Sequence, residues 1–191
     1  MPTKLELLAE EVAACTKCKL ATAGRTQVVV ARGDPTAPLM FVGEAPGAEE
    51  DKQGLPFVGR SGQLLDRLAK EEIGLDRDQF YVANVLRCRP PGNRDPEADE
   101  IEACRPWLER QIELADPTVI VTLGNFASKL LLGTKDGITK LRGRSYPYPN
   151  HPATTLVPTF HPAAVLRGGG EPMAQMRADL VRAKQLLAAA A

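Results

Sequence analysis

The sequence predicts an α/β protein with a central, mostly parallel four-stranded sheet and helices on both faces. Three observations carry this. Four short apolar runs recur at 39–42, 80–86, 118–123 and 154–160. Between them lie stretches with apolar residues at helical spacing. The two kinds of segment alternate, as they must where helical crossovers join parallel strands.

In chain order, Lys4 to Ala14 places Leu5, Leu8 and Val12 on one helical face. Gln27 to Ala31 reads as a short strand before the Gly33-Asp34-Pro35 turn. Leu39 to Val42 is the first core strand. A long loop follows, rich in Gly, Pro and acidic residues, and leads to a helix from near Ser61 to Ile73 that stops at Gly74. Phe80 to Leu86 is the second strand. Asp95-Pro96 reads as a helix start, with Asp as N-cap and Pro at the first position, for a helix reaching Ala115. Thr118 to Leu123 is the third strand, and Asn125 caps a helix closed by Gly133. Leu141 to Tyr148 suggests a hairpin arm. Thr154 to Phe160 is the fourth strand, with Pro158 implying an irregular end. Glu171-Pro172 opens the last helix, which runs to about Ala189.

A length of 191 residues suits one domain, 1–191, with a sizeable core. Lys+Arg and Asp+Glu balance at 24 each, so any basic surface must be local. The longest apolar runs fall far short of a membrane span. The N-terminal MPTKLELLAEEVAAC has acids throughout and does not read as a secretory signal. A cytoplasmic protein is the expectation.

The four cysteines are Cys15, Cys18, Cys88 and Cys104. In a reducing compartment they read as metal ligands rather than disulfides. Four thiolates suit structural zinc or a [4Fe–4S] cluster. The second tight Cys-x-x-Cys of a zinc ribbon is missing, which tilts the spacing towards the cluster; four unrelated buried thiols are the plain alternative. A cluster would pin the segment between Cys88 and Cys104 to the N-terminal helix.

In a parallel sheet the loops at the strands' carboxyl ends share one edge, where open α/β sheets keep their sites. Here that edge collects Glu44-Ala45-Pro46-Gly47, Asn84, Gly124-Asn125 and His161-Pro162. A histidine there can donate to a developing oxyanion. A buried Asn can read a planar amide-like ligand through two hydrogen bonds. Phe57 can stack on a flat ring. Each residue also has an ordinary packing role open to it. Basic residues Arg87, Arg89, Arg94, Lys129, Lys135, Lys140, Arg142, Arg144 and Arg167 fall near the same edge, which suits a phosphate backbone or merely a solvated face. No GxxxxGK[ST], GxSxG or GxGxxG is present, which weighs against nucleoside-triphosphate, serine-hydrolase and dinucleotide chemistry.

With GEAPGAEED at 43–51, LPFVG at 55–59, NVLRCRPPGNR at 84–94, the four cysteines and HPAAVLR at 161–167, the chain closely resembles the family 4 uracil-DNA glycosylases over nearly its whole length. The resemblance implies an α/β/α sandwich around a four-stranded parallel sheet. It also implies a structural [4Fe–4S] cluster on Cys15, Cys18, Cys88 and Cys104. The implied enzyme is a monofunctional glycosylase, monomeric and independent of membranes. It removes uracil, the product of cytosine deamination, from single- and double-stranded DNA. By the same resemblance, Glu44 supports water activation or the transition state and Ala45 frames the pocket. Phe57 stacks on uracil, Asn84 reads its edge, and His161 supports charge on O2. Glu50 helps exclude the thymine methyl group. The segment 161–167 is implied to enter the minor groove as a loop, with Leu166 or Arg167 filling the gap left by the flipped base. Two departures stand out. Many relatives have Gly where this chain has Ala45, which matters if that position needs a positive φ. Relatives that trap DNA covalently carry a histidine-containing basic loop; RPPGNRDPE has no histidine, so no covalent trapping is expected.

Overall fold

The computed structural model describes residues 2–190. Helix α1 (Lys4–Ala13) opens on a capping box, in which the Thr3 hydroxyl accepts the Glu6 amide and the Glu6 carboxylate accepts the Thr3 amide. The chain continues through β1 (Arg32–Gly33), β2 (Leu39–Gly43), α2 (Ala48–Gln53) and α3 (Arg60–Leu68), which runs on as a π turn to Ile73. Then come β3 (Tyr81–Asn84), α4 (Ala98–Ala115), β4 (Val119–Leu123), α5 (Asn125–Leu132), α6 (Ile138–Leu141), β5 (Tyr146–Tyr148), β6 (His151–Thr159), α7 (Pro162–Gly168) and α8 (Gly170–Ala190).

The sheet order is β1-β3-β2-β4-β6-β5. Its four central strands are parallel and are the four the apolar runs predict. Two short strands add antiparallel edges: β5 is the hairpin arm expected within 141–148, whereas β1 falls in a stretch that was read as a turn. Strand alternation divides the core in two. Met40, Val42, Tyr81, Ala83 and Ile120 face the layer that holds α1, α4 and α5. Leu39, Phe41, Val82, Val119, Val121 and Val157 face the layer of α3, α7 and α8. Because the central strands are covered on both faces, they read as continuous apolar runs.

Several local expectations are corrected. Residues 27–31 form no strand. Val29 donates its amide to the Arg87 carbonyl at 2.7 Å, and the Val30 carbonyl accepts Arg87 Nη1 at 3.0 Å, so the segment crosses the Arg87 turn rather than joining the sheet. Helix α4 starts at Ala98, not at Pro96, because Glu97 and Glu100 form the capping box instead of Asp95. Asn125 is the first residue of α5, and its side chain accepts the Ile138 amide at 2.8 Å. The loop after β2 contains α2. Residues 162–168, expected as a loop, are helical: His161 is the N-cap and Pro162 takes the first position. Pro158 lies within β6, in register with Thr122.

Candidate active site

The carboxyl ends of β2 and β3 and the junction between β6 and α7 enclose a cavity of about 440 Å³. Glu44, Ala45, Glu50, Phe57, Asn84, His161 and Arg167 all line it. Leu166 is 43% exposed on the outer end of α7, outside the lining.

The β2 and β3 ends are laced together beyond the strands. Val85 donates to the Gly43 carbonyl and Leu86 to the Glu44 carbonyl, both at 2.9 Å. This fixes Glu44 and Asn84 side by side. Asn84 is buried, and its Oδ1 is sealed from solvent with no hydrogen-bond partner among the described residues. A buried orphan acceptor is costly and needs a reason. It lies beside Gly43 and the Phe57 ring: a methyl group added at Gly43 would come within 2.4 Å of Asn84 Oδ1 and 2.5 Å of Phe57 Cζ. Gly43 is there because nothing larger fits.

Phe57 is a buried non-glycine residue held at a φ of 55°, a left-handed conformation that costs energy. Glu50 holds it in place. One Glu50 oxygen accepts the amides of Val58 and Gly59, each at 3.2 Å. The Phe57 ring faces the His161 ring, with centroids 5.7 Å apart and planes tilted by 33°.

His161 approaches closely because Gly124 has no side chain; a methyl group there would come within 3.1 Å of His161 Cβ. His161 Nδ1 accepts the Ala163 amide at 3.2 Å. Burial, reinforced by the charge of Arg167, holds the imidazole down to about 4. The ring is therefore neutral near pH 7, and with Nδ1 accepting, its hydrogen is on Nε2. The Glu44 carboxylate makes no hydrogen bond or ion pair among the described residues. Burial, followed by the negative charge of Asp95, pushes its carboxyl above the ordinary range. Ala45 is not among the residues with positive φ, so the exchange of Gly for Ala strains nothing.

Of the edge residues expected at the site, Asn125 is absent, taken up by its bond to Ile138. Ser61, Asn93 and Asp95 line the cavity and were missed by the sequence reading, although they stand in the GRSG and RPPGNRDP stretches; the closeness of Asn84 and Phe57 to Gly43 was missed as well. Two of the basic residues turn away from a phosphate role: Arg87 is fully buried, and Arg142 pairs with Asp179 at 3.0 Å. Arg94 lines the cavity while pairing with Glu100 at 2.5 Å.

Cys88 and Cys104 are buried in the α1–α4 core, and Cys15 and Cys18 pack against it. Trp107 Nε1 donates to Cys15 Sγ at 3.2 Å, and Arg25 Nη1 to Cys88 Sγ at 2.9 Å. Burial pushes the Cys104 thiol up to about 11, against the pull of Arg87. Among the described residues no three His, Cys, Asp or Glu side chains converge as a single metal ion would require. The donor set, four sulfurs with N–H groups aimed at two of them, fits a group bound by one thiolate at each corner.

The cavity thus sets an aromatic ring, an amide, a carboxylate and a neutral imidazole around one space at the sheet's carboxyl edge, the arrangement of an α/β enzyme with its site at the strand ends. A family model described as the Uracil DNA glycosylase superfamily matches residues 30–183. The type-4 uracil-DNA glycosylase of Sulfurisphaera tokodaii is 51% identical over 167 residues, covering 85% of this chain and 76% of the relative. That of Thermotoga maritima is 42% identical over 185 residues, covering 96% and 94%. A type-5 uracil-DNA glycosylase of Thermus thermophilus is 29% identical over 191 residues, covering 82% and 85%. The chain belongs to the uracil DNA glycosylase superfamily and, within it, to the type-4 group.

Proposed function

We propose that this protein excises uracil from DNA by hydrolysing the N-glycosidic bond, leaving an abasic site. The observation that carries this reading is the orphaned Asn84 Oδ1, set under an aromatic ring in a cavity that also holds a neutral histidine. With a small shift of the side chains that close over it, uracil's N3–H would satisfy that acceptor, while its O4 would take a hydrogen from Asn84 Nδ2. Cytosine presents the opposite pattern, so it would leave buried groups unpaired.

A base inside a duplex cannot reach the cavity, so the nucleotide must swing out, whether from single- or double-stranded DNA. The exposed end of α7, with Leu166 and Arg167, is the surface proposed to fill the gap. Phe57 stacks on the ring. As the C1′–N1 bond breaks, its electron pair leaves on uracil and spreads to O2, where His161 Nε2–H donates. The sugar becomes oxocarbenium-like. The Glu44 carboxylate faces this charge and orients the water whose oxygen bonds to C1′; a proton from that water is finally taken up by the uracil anion. Glu50, tied to the 58–59 amides, is a fixed wall against which a 5-methyl group would press.

The four cysteines are proposed to hold a [4Fe–4S] cluster. When bound, it supplies structural cross-linking between the N-terminal segment and the turn after β3, and no step above uses electron transfer.

The test is release of free base from a labelled single-stranded oligonucleotide with one uracil, beside cytosine and thymine controls, without added metal or nucleotide. Uracil-only release supports the reading; intact uracil substrate with well-folded protein overturns it. Two variants probe the geometry. Gly43→Ala should fold but release uracil at least about tenfold more slowly, about 1.4 kcal/mol, because its methyl displaces Asn84 and Phe57. A rate within twofold of wild type would show that neither residue needs its observed position. Glu44 must be ionised, so the rate should fall as pH drops through its raised pKa. Asp95→Asn removes one cause of that rise and should move the acid limb to lower pH. A limb that stays put in that variant would assign it to another group.

A further inference from the structure

Arg87 is the largest fully buried side chain among the described residues, at 1% exposure, and it carries a charge. It faces no carboxylate: among the described residues it makes no ion pair. Its guanidinium donates Nη1 to the Val30 carbonyl at 3.0 Å and Nη2 to Gln111 Oε1 at 2.5 Å, both neutral acceptors, while Nε is buried with no acceptor. Gln111 is itself occupied, donating to the Tyr81 hydroxyl at 2.6 Å. A buried guanidinium cannot shed its proton and is strongly destabilising without a counter-charge. Among the other buried charges, Arg32 pairs with Asp66, Asp179 with Arg142 and Glu100 with Arg94, while Asp51 accepts the Thr26 amide. Of the two buried arginines, Arg87 is the one without a carboxylate partner among the described residues.

Arg87 directly precedes Cys88, and its partner Gln111 stands on α4, the helix that carries Cys104. We infer that Arg87 is the buried counter-charge of the four-cysteine cluster, the cluster standing where a carboxylate would otherwise be. This rests on the cysteines being cluster ligands. Four thiolates outweigh the positive charge of a four-iron core, so the bound group is an anion, and a buried anion is stabilised by a neighbouring fixed cation. Arg25, partly buried and bonded to Cys88 Sγ, balances it from the other side. Two residues separate Asn84 from Arg87, and Arg87 holds the 28–30 crossing in place. Charge balance at the cluster thereby supports the wall of the cavity that carries Asn84.

The inference is tested in the holoenzyme from two directions. Arg87→Met removes the charge with little change of volume. Gln111→Glu leaves Arg87 in place but gives it a carboxylate at the position of its present partner. Both should lower the cluster's reduction potential, since a lost cation or an added anion disfavours further negative charge. Both should hasten loss of the cluster's visible absorbance to a chelator, by about tenfold or more for Arg87→Met. Arg87→Lys should lie close to wild type in potential. If Arg87 serves packing alone, Gln111→Glu will leave both potential and chelation rate unchanged, and the inference falls; it can be decided on that variant even if Arg87→Met does not fold. Iron and sulfide absent from anaerobically purified wild type would instead overturn the cluster assignment itself, and the inference with it.

Discussion

His161→Ala is expected to slow single-turnover uracil release by about 10²–10³-fold, the usual effect of losing one donor aimed at a developing oxyanion. The magnitude follows from how the ring is held. Burial and Arg167 keep it uncharged near neutral pH, and the Ala163 amide occupies Nδ1. The one remaining donor is Nε2–H. A neutral donor in a partly buried site adds little to substrate binding, because the ground-state carbonyl carries only a small charge. It gains strength as O2 becomes negative, so the loss should appear in the chemical step rather than in affinity. The same ring also caps α7, and Ala would remove that bond at a cost of about 1 kcal/mol. His161→Asn separates the two roles: an Asn caps a helix well, so stability should return while most of the rate stays lost. The pH profile gives a further check. A ring neutral down to about 4 cannot produce a limb near the ordinary imidazole value. A limb there that vanishes in His161→Ala would show that the ring acts as a cation, and would refute the neutral-donor account.

How much of this was legible in the sequence depends on what fixes each feature. Buried parallel strands are apolar throughout, so β2, β3, β4 and β6 could be read from composition, and strand–helix alternation then brought Glu44, Asn84 and His161 to one edge. Features set by long-range partners could not be read. Arg87, Arg94 and Arg142 look like surface charge in the sequence, and only the folded chain shows what encloses or pairs them. The left-handed Phe57 was invisible because its conformation is imposed by Glu50, seven residues earlier, through two neighbouring amides. The 161–167 segment was expected as a loop from the family resemblance, and the three glycines that follow it at 168–170 did not speak against that. Yet a proline just after a capping residue is as good a signal for a helix start, and the structure follows that signal.

Asn84→Ala should separate activity from stability more sharply than any other change at the site. The free enzyme carries a buried acceptor with no partner, a cost of about 1–3 kcal/mol. Bound uracil would relieve it through N3–H, so part of the recognition energy is already stored in the empty pocket. Alanine removes the orphan together with the amide. Uracil release should therefore fall at least about tenfold, over about 1.4 kcal/mol, while the melting temperature stays level or rises. Discrimination should fall as well, because the penalty against cytosine depends on an amide that cannot turn over to match it. Asn84 is positioned to resist turning: Gly43 and Phe57 enclose its oxygen, and the β2–β3 hydrogen bonds continue past it on both sides. Melting curves and single-turnover rates on uracil and cytosine oligonucleotides decide the matter together. A destabilised variant with normal activity would make Asn84 a packing residue. A stable variant that releases uracil as fast as wild type would move recognition to another group in the cavity.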